Sequence, residues 1–378
     1  MGLKECITYT AEVVSHLSGF SEAKRRRILK KLEKIRRRAD SPYLYVALVG
    51  DFSTGKSTFI NALVGKNILK TAWQATTAVP TLIYCYGMEK ICVVAETAGR
   101  ERFVLSDSVQ RGRFEERFQV RLPGETADLT ALLSTDNGLT GKLRHIELWV
   151  PGFDGLKNIC IIDTPGVNPG AEEASFHAAR TREVLMSYAD ATIVLFQETQ
   201  VFSGSFKTFL SENAAHFMRD AVFVITMMDL AEEDEREELL DHVRNQLTQS
   251  FGLVDPPVYG CCVKAVTSGA VDVQGKYWVD LFDMLREEIV RHMAERRQSI
   301  IHGQMTDLME SLIGELEAVL ADNLSTIEQK QMRTGENVVS GKLEKEDLFT
   351  REKLAIQRRR YEEMHCKLAA YLQGIRNC

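Results

Sequence analysis

The sequence contains no run of about 18 uncharged apolar residues, so no membrane-spanning helix is expected. Its N-terminus carries no apolar stretch like a signal-peptide core, and no export leader is expected. Cys6 stands where a myristoylation motif wants Ser or Thr, and Cys378 is not in a prenylation box. None of the eight cysteines (Cys6, Cys85, Cys92, Cys160, Cys261, Cys262, Cys366, Cys378) forms a C-x-x-C pair. That spacing gives little support to a zinc site and favours free thiols in a reducing cytoplasm. The 25 glycines follow no fixed period, which excludes a collagen-like chain, and no internal repeat is visible.

What is present is ordinary globular material. Of 378 residues, 44% are hydrophobic and 26% charged, with a net charge of -6. This length suggests two to three domains. The charge is uneven: residues 1–40 are net +6, residues 41–279 net -9, and residues 280–378 net -3.

Residues 5–39 read as helix, with Ser21 as N-cap of a second helix starting near Glu22. Ile28, Leu29, Leu32 and Ile35 share one face of it, and Lys and Arg crowd the other. From Tyr43 to about Gly269, short apolar runs alternate with helical stretches at 173–188, 204–217 and 231–250. Such alternation predicts an α/β fold with a mostly parallel sheet covered by helices. Residues 98–141 are polar and Gly-dotted and are expected to form a hairpin and loop insertion. Beyond Val279, Met305, Leu308, Leu312, Leu316 and Leu320 recur at helical steps, so this helix needs a partner. Arg333–Gly341 reads as a turn before a second charged helix, Leu343–Leu372. The expected division is 1–42, 43–278 and 279–378, with the two end segments packed as one helical bundle.

Gly50-Asp51-Phe52-Ser53-Thr54-Gly55-Lys56-Ser57 fits G-x-x-x-x-G-K-[ST], between the apolar run Leu44–Val49 and the helical Thr58–Val64. In that context the glycines turn backbone N–H groups onto a phosphate chain, Lys56 adds a point charge and Ser57 a hydroxyl for Mg²⁺. Asp163-Thr164-Pro165-Gly166 follows the apolar run Ile159–Ile162. Asp163 can hold Mg²⁺ through a water, and Gly166 can offer its N–H to a γ-phosphate. Alone the tetrapeptide reads as a β-turn, but paired with the phosphate loop it marks a nucleotide switch. Between them, Thr77 is the expected second hydroxyl for Mg²⁺, with Thr76 the alternative. Thr226-Met227-Met228-Asp229 ends a later strand, where a carboxylate can accept from guanine N1 and N2. The competing reading is that Asp229 caps the acidic helix after it.

These motifs, with G-D-F-S-T-G-K-S-T-F-I-N-A-L-V-G, T-T-A-V-P-T, I-I-D-T-P-G and helices on both sides, resemble a dynamin-like large GTPase of the bacterial or organellar kind. The resemblance is strongest over about residues 43–265. It implies binding of GTP and GDP through residues 50–58, with Thr58 ending that run, and through Asp163, Gly166, Thr226, Asp229 and Lys264. It implies hydrolysis with Mg²⁺ held by Ser57, Thr77 and Asp163. Catalytic roles would fall to Ser53, Lys56, Thr77 and Gly166, with a monovalent cation (K⁺ or Na⁺) near Asp51 and a homodimer through the GTPase domain. Contact with an anionic membrane or a partner dynamin-like protein from a cytoplasmic location follows by the same resemblance. Two departures stand out: Met227 replaces the usual Lys before the base-reading Asp, and Cys262 replaces a Ser in the last guanine loop, where Lys264 is kept. Val167 occupies the place where small GTPases carry a water-orienting Gln. The basic segment 24–38 lacks interleaved aromatics, so nucleic acid is not expected, and a solvated or paired bundle face is favoured over lipid binding. A regulatory switch and a nucleotide-holding module remain alternatives to a mechanochemical enzyme, with an ATPase or nucleotide kinase a distant further class.

Overall fold

A computed structural model describes residues 3–16, 21–71, 77–96, 101–135, 138–167, 174–269 and 272–339, together with single positions between 355 and 373. The elements in chain order are α1 (Leu3–His16), α2 (Glu22–Asp40), β1 (Leu44–Gly50), α3 (Lys56–Val64), β2 (Thr81–Tyr84), β3 (Lys90–Ala95) and β4 (Arg102–Val104). There follow α4 (Ser108–Phe118), α5 (Thr126–Ser134), β5 (Leu143–Trp149), β6 (Ile159–Asp163), α6 (Ala174–Ser187), β7 (Ala191–Gln197) and α7 (Gly204–Phe209). The last are β8 (Val222–Thr226), α8 (Arg236–Phe251), β9 (Val258–Gly260), α9 (Val263–Ser268) and α10 (Val273–Val339). The chain divides into two compact units, residues 42–300 and residues 1–41 with 301–378. Among the described residues no helix is long and apolar enough to cross a membrane.

The α/β unit is built on a nine-stranded sheet in the order β4-β3-β5-β2-β6-β1-β7-β8-β9. Strands β6, β1, β7, β8 and β9 run parallel, which requires a crossover between consecutive members. Strand β2 pairs antiparallel with β6 and parallel with β5, and β3 pairs antiparallel with β4 and β5. The central strands read as unbroken apolar runs because both sheet faces are covered: β6 and β8 are buried along their whole length. β1 and β7 sit side by side in register from Val46↔Ala191 to Gly50↔Leu195, so the end of β1 opens at the carboxyl edge of the parallel half. That edge, where the loops after β1, β6, β7, β8 and β9 gather, is where a ligand of such a sheet is bound.

In the region 98–141 the expected hairpin is present, as β4 pairs antiparallel with the preceding β3, but the expected loop carries two helices, α4 and α5. Phe114 is fully buried and packs edge-on to Phe103 at 5.3 Å. A single deep aromatic anchor fixes α4 on a stretch too polar to show a periodic apolar face.

In the helical unit, Ile28, Leu32 and Ile35 of α2 are buried with Cys6, Ile7, Val13 and Val14 of α1 and Met305, Met309, Leu312, Leu316 and Leu320 of α10. Ser21 caps α2 by accepting from Lys24 N. Glu315 takes Lys31 at 3.0 Å and Arg27 at 3.4 Å, so part of the basic face is paired within the bundle. These pairs are half exposed and add little, which leaves apolar burial to hold the unit. The described positions between 355 and 373 are helical, and Met364 joins this core. The expected turn at Arg333–Gly341 is corrected: α10 runs on through Val339. A lone glycine such as Gly335 weakens a helix by only about 1 kcal/mol relative to alanine, which a long helix absorbs.

Candidate functional site

The loop between β1 and α3 is shaped by its glycines. A Cβ at Gly50 would lie 2.7 Å from Thr54 Oγ1 and 2.9 Å from the Leu195 carbonyl, so no larger residue fits. Gly55 has φ +78°, the left-handed conformation that glycine adopts without a steric penalty, and it opens α3. At the other end of α3, Gly65 closes the helix by donating to the Asn61 and Ala62 carbonyls. The loop is tied from behind: Thr226 Oγ1 lies 3.0 Å from Thr54 O and 3.1 Å from Phe196 O, so the end of β8 holds the loop to β7. Ser53 stands exposed with φ +66°, and Thr58 lies half-buried in the first turn of α3.

Lys56 is 8% exposed, and its ammonium donates to Gly50 O at 3.1 Å and Asp51 O at 2.8 Å. Burial lowers its pKa to about 8, against the opposing pull of Asp163 and Asp51. Asp163 is 2% exposed at the end of β6, beside β1. Its Oδ2 accepts from Ser57 Oγ and from Thr77 Oγ1, both at 3.2 Å. Its Oδ1 is buried without a hydrogen-bond partner. Burial pushes the carboxyl up to about 6, although Lys56 and the two hydroxyls favour the charge. Across the antiparallel register Thr81 faces Asp163, and its hydroxyl is likewise buried without a partner. Two hydroxyls and a carboxylate with a spare buried oxygen form a hard-oxygen set suited to Mg²⁺, with water and phosphate completing the shell.

The loop after β6 is pinned against the phosphate loop. Thr164 Oγ1 donates to Leu48 O, and Thr181 Oγ1 donates to Pro165 O at 2.8 Å. Val167 N donates to Gly50 O at 3.3 Å. A Cβ at Gly166 would lie 3.1 Å from Phe52 Cα and 3.3 Å from Lys56 Nζ, so this glycine lets the two loops touch. Val167 itself is buried in the core. Of the threonine pair, Thr77 reaches Asp163, while Thr76 lies outside the described residues.

On the base side, β8 and β9 end next to each other, and Cys261 N donates to Ile225 O at 2.9 Å. Asp229 is exposed in the turn after β8, well before α8 begins, so it does not cap that helix. The Cys262 thiol donates to its carboxylate. Burial first, and then this carboxylate, push the thiol up to about 11. Lys264 is exposed in the first turn of α9. The fold thus links Asp229 to the last loop through Cys262, with Lys264 two residues further on.

Three further residues also act here. Asn61 is buried in α3, accepts from Ile68 N and Leu69 N and donates to Leu69 O, which fixes the chain running toward Thr77. Ser203 caps α7 and donates to Asp51 Oδ2 at 2.7 Å. Arg236 donates to the Met228 and Ala231 carbonyls. Asn61 lies within the quoted motif G-D-F-S-T-G-K-S-T-F-I-N-A-L-V-G and was visible as part of it. Ser203 and Arg236 carry no local signal.

A strand, a glycine loop wrapped on a buried lysine, a helix, and a carboxylate on the next strand define a P-loop GTPase-type domain. Residues 46–228 match the model of the dynamin family, and this segment belongs to that family. An uncharacterized protein from the xynA 3′ region of Caldicellulosiruptor sp. (strain Rt8B.4) is 23% identical over 302 residues, 78% of this chain and 68% of that protein. A solved oligomerised bacterial dynamin pair, described as a mechanism for long-range sensing and tethering of membranes, is similar at 16% identity and a TM-score of 0.47. That match covers 97% of this chain and 53% of the other, so the chain spans about half the length of that solved relative. Aquifex aeolicus Era bound to GDP and aluminium fluoride is similar at 14% identity and a TM-score of 0.35, over 66% of this chain and 56% of that one.

Proposed function

We propose that this protein binds GTP and hydrolyses it to GDP and phosphate with Mg²⁺. The observation that carries this reading is the meeting of Ser57, Thr77 and Asp163 on one carboxylate oxygen, beside the buried Lys56. Residues 50–58 would cradle the phosphates through backbone N–H groups, and Lys56 would meet the β- and γ-phosphate charge. Ser57, Thr77 and Asp163 would hold the Mg²⁺, which neutralises developing phosphate charge when bound. Gly166 would present its N–H to the γ-phosphate. Thr226, Asp229 and Lys264 would frame the base.

Val167 is apolar and buried, so no side chain at that position can orient the attacking water. This supports slow turnover by the isolated domain, with Ser53, a K⁺ or Na⁺ ion near Asp51 and dimerisation across the nucleotide supplying what is missing. In this reading residues 42–300 act as the GTPase domain, and residues 1–41 with 301–378 form a bundle whose movement hydrolysis drives. A cytoplasmic location, with peripheral contact to an anionic membrane or to a partner dynamin-like protein, completes the proposal. The buried Val167 equally favours a second reading, a regulatory switch that holds GTP and controls a partner without remodelling a membrane.

The test is binding and turnover of GTP against Lys56→Ala. Magnesium-dependent GTP binding and phosphate release, both lost in the variant, are expected. Turnover no different from that of the variant would leave only a holding role, and no binding would remove the proposal.

A further inference from the structure

We propose that Arg236 is the positioning residue for the base-reading carboxylate Asp229, filling from outside the motif the place left by Met227. The inference rests on the guanine reading of Asp229 given above.

Met227 has φ +62°, a left-handed conformation that a non-glycine residue holds only when its surroundings impose it. The turn it opens carries Asp229. One side of that turn is fixed by Met228, whose N–H donates to Cys261 O at 3.2 Å and whose buried side chain lies against Gly260. A Cβ on Gly260 would come within 2.9 Å of Met228 Cγ, so the strand end has been kept bare for this contact. The other side is fixed by Arg236. Its Nε lies 3.2 Å from Met228 O and 3.2 Å from Ala231 O, the two carbonyls that bracket Asp229 and Leu230.

The guanidinium is itself held. It lies 4.9 Å from the centroid of Trp278, a buried residue of α10. One turn on, the fully buried Phe282 packs edge-on against Phe59 of α3 at 5.6 Å. The platform under Arg236 is therefore joined to the helix that follows the phosphate loop. A carboxylate that accepts from two base N–H groups must be held to a few tenths of an ångström. A planar, permanently charged group that stacks while bridging two carbonyls does this, whereas a lysine offers a point charge on a flexible stem without the flat face.

The experiment compares the affinities of fluorescent GDP, IDP and ADP for wild type, Arg236→Met and Arg236→Lys, with circular dichroism and thermal unfolding to establish that each is folded. IDP lacks the exocyclic amine of guanine, so the GDP-to-IDP ratio reads the alignment of Asp229. ADP reads the phosphate contacts. Arg236→Met is expected to lower the GDP-to-IDP ratio about tenfold, the size of one aligned charge-assisted hydrogen bond, and to change ADP affinity less than about twofold. Arg236→Lys is expected to lower the ratio about threefold, and it carries the test if Arg236→Met does not fold. An unchanged ratio, or an equal loss for all three nucleotides, overturns the positioning role. A wild-type protein that does not prefer GDP to ADP overturns the guanine reading instead, whatever Arg236 does.

Discussion

Lowering the pH should switch off the magnesium site at a value far above that of an ordinary aspartate. Asp163 is buried, and its carboxyl is raised from 3.8 to about 6 in the nucleotide-free protein. At that value about 90% is ionised at pH 7 and about 10% at pH 5, whereas an ordinary aspartate would remain about 90% ionised at pH 5. Magnesium-dependent GDP affinity should therefore fall about ninefold between pH 7 and pH 5. Lys56, lowered to about 8, sets the opposite limb, and affinity should fall again above that pH as the ammonium loses its proton. Stability carries the same signature. The folded chain keeps the Asp163 proton between about pH 4 and pH 6, where the unfolded chain has lost it. That contribution is full below the lower value and lost as the pH rises through about 6. Asp163→Asn removes the penalty, worth up to about 3 kcal/mol for a shift of about two units, reduced because Lys56 loses its counter-charge. The variant should unfold at a higher temperature than wild type at pH 7.5 without nucleotide, yet lose magnesium-dependent binding. The assays are fluorescent-GDP titration across pH at fixed ionic strength, and thermal unfolding. A flat affinity from pH 7 to pH 5, or a less stable Asp163→Asn, would refute the reasoning.

Other outcomes follow from single contacts. Thr226→Val removes the hydroxyl behind Thr54 and should weaken GDP binding about tenfold, with about 1–2 kcal/mol of lost stability by denaturant titration. Gly50→Ala places a carbon 2.7 Å from Thr54 Oγ1 and 2.9 Å from Leu195 O, so it should abolish nucleotide binding while circular dichroism stays near that of wild type. Phe282→Ala empties a fully buried site against Phe59 and should destabilise the α/β unit by about 3–5 kcal/mol, seen as a lower urea midpoint.

The α/β fold was legible where a short segment carries its own physics. The apolar run of β1, the glycines of the loop and the compact apolar α3 spell strand, turn and helix within residues 44–64. The same is true of β6 with Asp163 at its end. Helix α4 was not legible, because five of its eleven residues are charged and its one buried side chain, Phe114, packs on the short strand β4 just before it. The continuation of α10 past Arg333 was hidden by a glycine whose local penalty a long helix overrides. At the site, Ser57, Thr77 and Asp163 each belong to a motif, but their meeting on one oxygen depends on β1 lying beside β6. Ser203 and Arg236 belong to none. The first matters because α7 starts beside Asp51, and the second because α10 sets Trp278 beneath it. Such contacts are set by topology rather than by sequence neighbours.

We propose that a second copy of the chain completes the catalytic site. The most direct test is GTP turnover per molecule as a function of protein concentration, with Lys56→Ala as the control. The specific rate is expected to climb with concentration and to vanish in Lys56→Ala. A specific rate that stays flat and low across the whole range would contradict the proposal, and would leave the regulatory switch as the better reading.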